Sequence, residues 1–138
     1  MKMTCRTAAK KRIQQVDTLL SNPTTRAKKD SFLEKYMKCE LACKLIIMEY
    51  NAAKKKTISY KDVKMQIQVI IAACRHVGLS ISNDVLYRLF SSSEKRGQRS
   101  AKILRNDIVH SLSINDIKEV DSRFMALDSD MDVFLRSI

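Results

Sequence analysis

The chain has 138 residues, 45% of them hydrophobic, with two glycines, one proline and no tryptophan. That length suits a single domain over residues 1–138 with one real core, and so few turn-forming residues argue against a strand-rich fold and for a few long helices joined by short polar loops. The net charge of +11 is uneven: residues 1–61 hold 15 Lys/Arg against 5 Asp/Glu, a net +10, and residues 62–138 hold 11 against 10, a net +1, which points to a polyanionic or acidic partner rather than to a merely solvated surface.

Taken in order, the apolar spacing of Ala9, Ile13, Val16 and Leu20 predicts a first helix over Arg6–Leu20, with Lys10, Lys11 and Arg12 outward. Ser21-Asn22-Pro23-Thr24 breaks it, and Thr24 or Thr25 is expected to cap a second helix over Arg26–Ala53. Leu33, Met37, Leu41, Leu45 and Met48 form a stripe on that helix, widened by Phe32, Ile46 and Ile47. This stripe reads as core or as a dimer face. Lys54-Lys55-Lys56 follows, either as a capped helix end in a solvated loop or as a phosphate contact. Ser59 is expected to cap a third helix over Tyr60–Val77, with Val63, Ile67, Ile70, Ile71 and Cys74 inward and Gly78 as its stop. Ser82-Asn83-Asp84 starts a short fourth helix carrying Val85, Leu86, Leu89 and Phe90. Ser91–Ser100 is the clearest loop. A fifth helix covers Ala101–Leu112, Ser113 with Asp116 marks a new start, and a sixth helix runs from Ile114 to about Arg136. The fold class is therefore all-α, a single compact helical bundle of about five to six helices.

Cys39 and Cys43 share a helix face, but no second Cys/His pair accompanies them, so they read as small buried thiols, and Cys74 as core. Asp128-Ser129-Asp130-Met131-Asp132 does not continue as a calcium loop: Val133 stands where glycine is needed, and the twelfth position has no Glu. No metal and no cofactor is expected. The N-terminal MKMTCRTAAKKR lacks a signal-peptide apolar stretch, and no apolar run approaches the roughly 20 residues of a membrane span. The expectation is a soluble, cytoplasmic protein without a membrane partner.

The chemistry concentrates in Arg105-Asn106-Asp107-Ile108-Val109-His110. Arginine supplies a permanent forked positive charge, and histidine can take or give a proton near neutrality. Wound at about 100° per residue, Ala101, Leu104, Ile108 and Leu112 face the core, while Arg105, Asn106, Val109 and His110 face outward. An apolar residue in the middle of that face suggests contact with another subunit. These groups suit RNA cleavage by its own 2′-hydroxyl, which needs a base, an acid and positive charge at phosphorus. One His110 cannot be base and acid at once. A symmetric homodimer would supply two, and His76 is the other imidazole in the chain. Lys95, Arg96, Arg99 and Lys102, just upstream, are candidate RNA-binding residues in a basic loop. The spacing alone is weak, since Arg and His five apart also occur on ordinary helix surfaces.

Arg105-x4-His110 with Asn106 directly after the arginine, late in a small all-α domain, resembles the HEPN superfamily, whose signature is Arg, four to six residues, then His, usually with Asn, Asp or His beside the Arg. The close match spans about 15 residues around LRNDIVHSL, and the earlier helices match only by pattern. The resemblance implies a metal-independent endoribonuclease. Arg105 and His110 would be catalytic, and Asn106 would position or bind phosphate. It also implies a dimer with facing motifs, acting as a toxin or antiviral defence effector, with an antitoxin or regulatory protein as a further partner. One toxin subgroup carries a tyrosine two residues after the histidine, where AMP is added. Leu112 stands there in this chain, so inactivation by that route is not expected. The alternative function is a non-catalytic helical module that binds RNA, a nucleotide or a protein. A DNA-binding regulator is a third reading, weakened by the lack of a clear recognition helix.

Overall fold

The computed structural model describes residues 5–94 and 97–138. The protein is all-α: α1 Cys5–Leu20, α2 Pro23–Ala53, a 3₁₀ turn at Tyr60–Asp62, α3 Ile67–His76, α4 Asn83–Phe90, α5 Ala101–Ser111 and α6 Ile114–Ser137, with no strand among the described residues. None of these helices is long and apolar enough to cross a membrane.

α2 is the spine, and it packs most extensively against α6. Lys28 pairs with Asp121, Lys35 with Asp128, and the Cys39 thiol meets the carbonyl of Met131. Contacts advance in the same direction on both helices, so α2 and α6 run parallel. Four rings bind the centre together: Phe32 to Tyr36 at 6.4 Å, Tyr36 to Phe90 at 6.2 Å, and Phe90 edge-on to Phe134 at 5.2 Å. All four are fully buried, so α2, α4 and α6 share one apolar centre whose area burial is augmented by aromatic geometry.

Polar caps set most of the boundaries. Asn22, rather than Thr24 or Thr25, caps α2, its Oδ1 accepting from the Thr24 and Thr25 backbone N–H groups at 2.9 and 3.3 Å. The helix therefore begins three residues before the expected Arg26, because Pro23 lacks an N–H and is preset for the first helical position. Ser82, Ser100 and Ser113 each accept from the N–H three residues on, opening α4, α5 and α6. Gly78 (φ 79°) closes α3: its N–H reaches the Arg75 carbonyl and that of Leu79 reaches Cys74, the paired bonds of a left-handed helix stop.

Two expectations are corrected. The third helix is not continuous from Tyr60. After the 3₁₀ turn the chain is extended at Val63 and again at Gln66, which buries Val63, and the Met65 carbonyl accepts from Lys102 Nζ at 3.3 Å instead of from a helical N–H. The α2 stripe, read as core or dimer face, divides: Phe32, Ile46 and Ile47 are buried and Leu33 and Met48 pack partly buried against the core, but Met37, Leu41 and Leu45 are not core. Met37, Leu41 and Leu45 are 59%, 49% and 51% exposed, and the buried face is Phe32, Tyr36, Cys39, Cys43, Ile46 and Ile47. An apolar pattern on two sides of one helix does not say which side is covered.

Burial pushes the Cys39 thiol up to about 12 and that of Cys74 to about 11, and raises Cys43 further, so none of the three is ready to ionise. Cys5 is exposed. A chromogenic disulfide reagent should titrate one thiol per native chain and four after unfolding. Rapid labelling of a second thiol at neutral pH would contradict the packing around α2.

Candidate active site

α5 buries Ala101, Leu104 and Ile108, which turns Arg105, Asn106, Val109 and His110 away from the core as their spacing requires. Leu112 departs from that pattern. The helix ends at Ser111, and Leu112 takes a left-handed conformation (φ 43°, ψ 49°) that leaves it 39% exposed. A branched residue costs roughly 1–2 kcal/mol there, but the twist turns the chain directly into the Ser113 cap of α6.

Within the motif, Arg105 Nη1 donates to Asn106 Oδ1 at 3.1 Å. His110 lies in the last turn of α5, exposed and with no hydrogen bond or ion pair among the described residues. No bond joins Arg105 to His110. Val109, 56% exposed, stands between them. Burial is the main reason the Tyr36 phenol is held far above its ordinary value, and the nearby Arg105 guanidinium opposes that rise. Lys102 acts likewise on Cys43.

His76 belongs elsewhere. Its ring meets that of Tyr50 at a tilt of 58°, centroids 5.5 Å apart, and Lys54 Nζ covers the same tyrosine at 4.3 Å. Fourteen residues separate Tyr36 from Tyr50 on α2, about 21 Å at the helical rise. The Lys54 ammonium is thus engaged in packing.

The basic loop is used differently from expectation. Arg99 does not project as a free phosphate ligand. Its Nη1 donates to Asp107 at 2.7 Å and Asp116 at 2.6 Å, and its Nε to Glu119 at 3.1 Å. Arg123 braces the knot through Glu119 and the Arg99 carbonyl, both at 3.0 Å. Lys102 Nζ is held by Met65 and by the Ser92 hydroxyl at 2.9 Å. Lys95 and Arg96 lie outside the described residues. Local charge in the sequence was visible, but not the carboxylates from α5 and α6 that consume it.

Beside the motif, between α1 and the α5–α6 corner, runs a groove of ≈ 750 Å³ open to solvent. Lys11, Arg12 and Ile13 form one wall, and Ser111, Leu112 and Asn115 belong to the other. The outward charge of α1 was legible in the sequence, but its place one residue from His110 was not. No group of three or more His, Cys, Asp or Glu side chains fit to hold a metal ion occurs among the described residues. The Asp128, Asp130 and Asp132 carboxylates are spent on Lys35, Arg88 and Arg136.

No family model matches the chain, and neither a curated protein nor a solved structure shows significant similarity to it.

Burial disfavours the charged form of Asp116, which is only 5% exposed, but hydrogen bonds from Arg99 and Ser113 outweigh it and hold the carboxyl below the usual carboxylate range. A depressed folded value means stability that is complete above the ordinary Asp value of about 3.9 and is lost as pH falls through the lower folded value. Arg99→Ala should cost about 3 kcal/mol in urea unfolding at pH 7, since it strands a buried carboxylate. The gap from wild type should narrow below about pH 4. A constant gap down to pH 3 would mean that the charge of Asp116 is not what Arg99 stabilises.

Proposed function

We propose that the protein is a HEPN-like, metal-independent endoribonuclease working as a homodimer, with Arg105 and His110 catalytic and Asn106 positioning phosphate. The observation that carries this reading is the state of the outward face of α5. Its arginine is oriented by the neighbouring amide, and its histidine is exposed and uncommitted to any protein group. The His76 ring, also exposed, instead meets that of Tyr50.

The chemistry balances without another reactant. A base takes the 2′-hydroxyl proton as the 2′-oxygen bonds to phosphorus. The bond from phosphorus to the 5′-oxygen breaks, and an acid protonates that leaving oxygen. The products are a 2′,3′-cyclic phosphate and a 5′-hydroxyl. Arg105 would stabilise the extra negative charge on the phosphoryl oxygens, and His110 would be the base or the acid.

A second imidazole from another copy supplies the remaining role. His76 is a poor substitute, because it packs about 21 Å along α2 from the level of Arg105. The surface also favours self-association. Val109, 56% exposed, leaves an unpartnered apolar group in the middle of the motif face. A toxin or defence role, with an antitoxin or regulatory partner, follows from the resemblance alone.

Purified protein should cut RNA in EDTA and leave cyclic-phosphate ends. His110→Ala and Arg105→Ala should each lower the rate by about 10²-fold or more, and His76→Ala should change it little. RNA binding without cleavage would replace the enzyme with a binding module. Loss of cleavage on chelation, restored by magnesium, would overturn the mechanism.

Assembly is checked separately. Val109→Glu should give a folded, inactive monomer by sedimentation and circular dichroism, because it sets like charges against each other at the two-fold axis. A fully active wild-type monomer at assay concentration would refute the composite site.

A further inference from the structure

We infer that the groove between α1 and the α5–α6 corner is the binding track for single-stranded RNA beside the cleavage position, with Lys11 and Arg12 as its phosphate ligands. The inference rests on the ribonuclease reading for its substrate class, but not for its physical case.

That case starts from where the cations go. Arg88, Arg99, Arg123, Lys35 and Lys44 are each paired with carboxylates. Arg6, Lys10, Lys11 and Arg12 of α1 are exposed, and none is in an ion pair among the described residues. Four unneutralised cations within seven residues raise the local anion concentration. Two of them, Lys11 and Arg12, line the groove. Asp17 lines it too, so the lining keeps a net +1.

The walls narrow the choice of ligand. Ile13 and Leu112 are apolar, exposed and face the same space. An inorganic anion gains nothing from them, and an acidic peptide gains only where it carries an apolar side chain beside its carboxylates. An unpaired nucleotide offers both a charged phosphate and the face of a base. A duplex hides its base faces in the stack, so the track suits single strands. The groove falls within the roughly 300–1,000 Å³ range of ligand sites, but it is open, as a polymer passing through requires. Ser111 on its wall directly follows His110, so a strand in the groove has its backbone at the motif's end of α5.

The test is fluorescence anisotropy with a labelled single-stranded RNA 12-mer, in EDTA and in the His110→Ala background, so that binding is read without cleavage. Lys11→Glu/Arg12→Glu should weaken binding about tenfold or more and flatten the log–log salt slope by roughly 1.4, or about 0.7 for each lost phosphate contact. Asp17→Asn should tighten binding, and Ile13→Ala should weaken it at unchanged salt slope. Lys61→Glu/Lys64→Glu, the same charge change at exposed positions before α3, should do much less.

All of these side chains are outside the core, so circular dichroism should be unchanged. Equal losses from both double variants would reduce the effect to net charge and overturn the track. Duplex RNA bound as tightly, with the same dependence on Lys11 and Arg12, would overturn the single-strand assignment. Binding that needs Lys11 and Arg12 without cleavage by wild type would keep the track and sink the ribonuclease. Cleavage with unchanged affinity in the double variant would do the reverse.

Discussion

The placement of the motif depends on one guanidinium. Arg99 leaves the loop after α4 and reaches Asp107 on α5 together with Asp116 and Glu119 on α6. Three carboxylates and two arginines, counting Arg123, compensate one another where a lone charge would be costly. The knot ties α5 to α6 across the corner that Leu112 turns. With the corner held, the last turn of α5 points His110 into solvent, with no protein group needed to hold it there.

The 31-residue α2 does a second job. Its narrow buried face uses Cys39 and Cys43, small enough for α6 and α3 to approach closely, and alternates them with Phe32, Tyr36, Ile46 and Ile47. Larger apolar residues are left on the outer flank. Met37, Leu41 and Leu45 are 59%, 49% and 51% exposed and form an unpartnered apolar flank. Core and unpartnered surface thus lie on nearly opposite sides of one helix.

Charge is divided in the same way. In the second half of the chain Arg88, Arg99, Arg123 and Arg136 are each paired with internal carboxylates. Cations of α1 have no such partners among the described residues, and Lys11 and Arg12 stand along a groove rather than on a convex surface. A concave wall keeps counter-charges within a Debye length of several cations at once, so an extended polyanion gains more there than on an open helix.

Much of the architecture was legible in the chain itself. Periodicity located the helices, and Ser82, Ser113 and Gly78 marked their ends, because caps and left-handed stops are local chemistry. The outward set Arg105, Asn106, Val109 and His110 was legible for the same reason: once a helix forms and Leu104 and Ile108 go inside, the rest must turn out. Local signals failed where distant groups decide. Which side of α2 is covered depends on α6 and α3, the extended stretch at Val63 depends on the core and on Lys102, and the role of Arg99 depends on carboxylates up to twenty residues away. The tertiary structure alone brought α1 to the α5–α6 corner. Their apposition is a packing outcome between segments about a hundred residues apart, and no spacing within either segment encodes it.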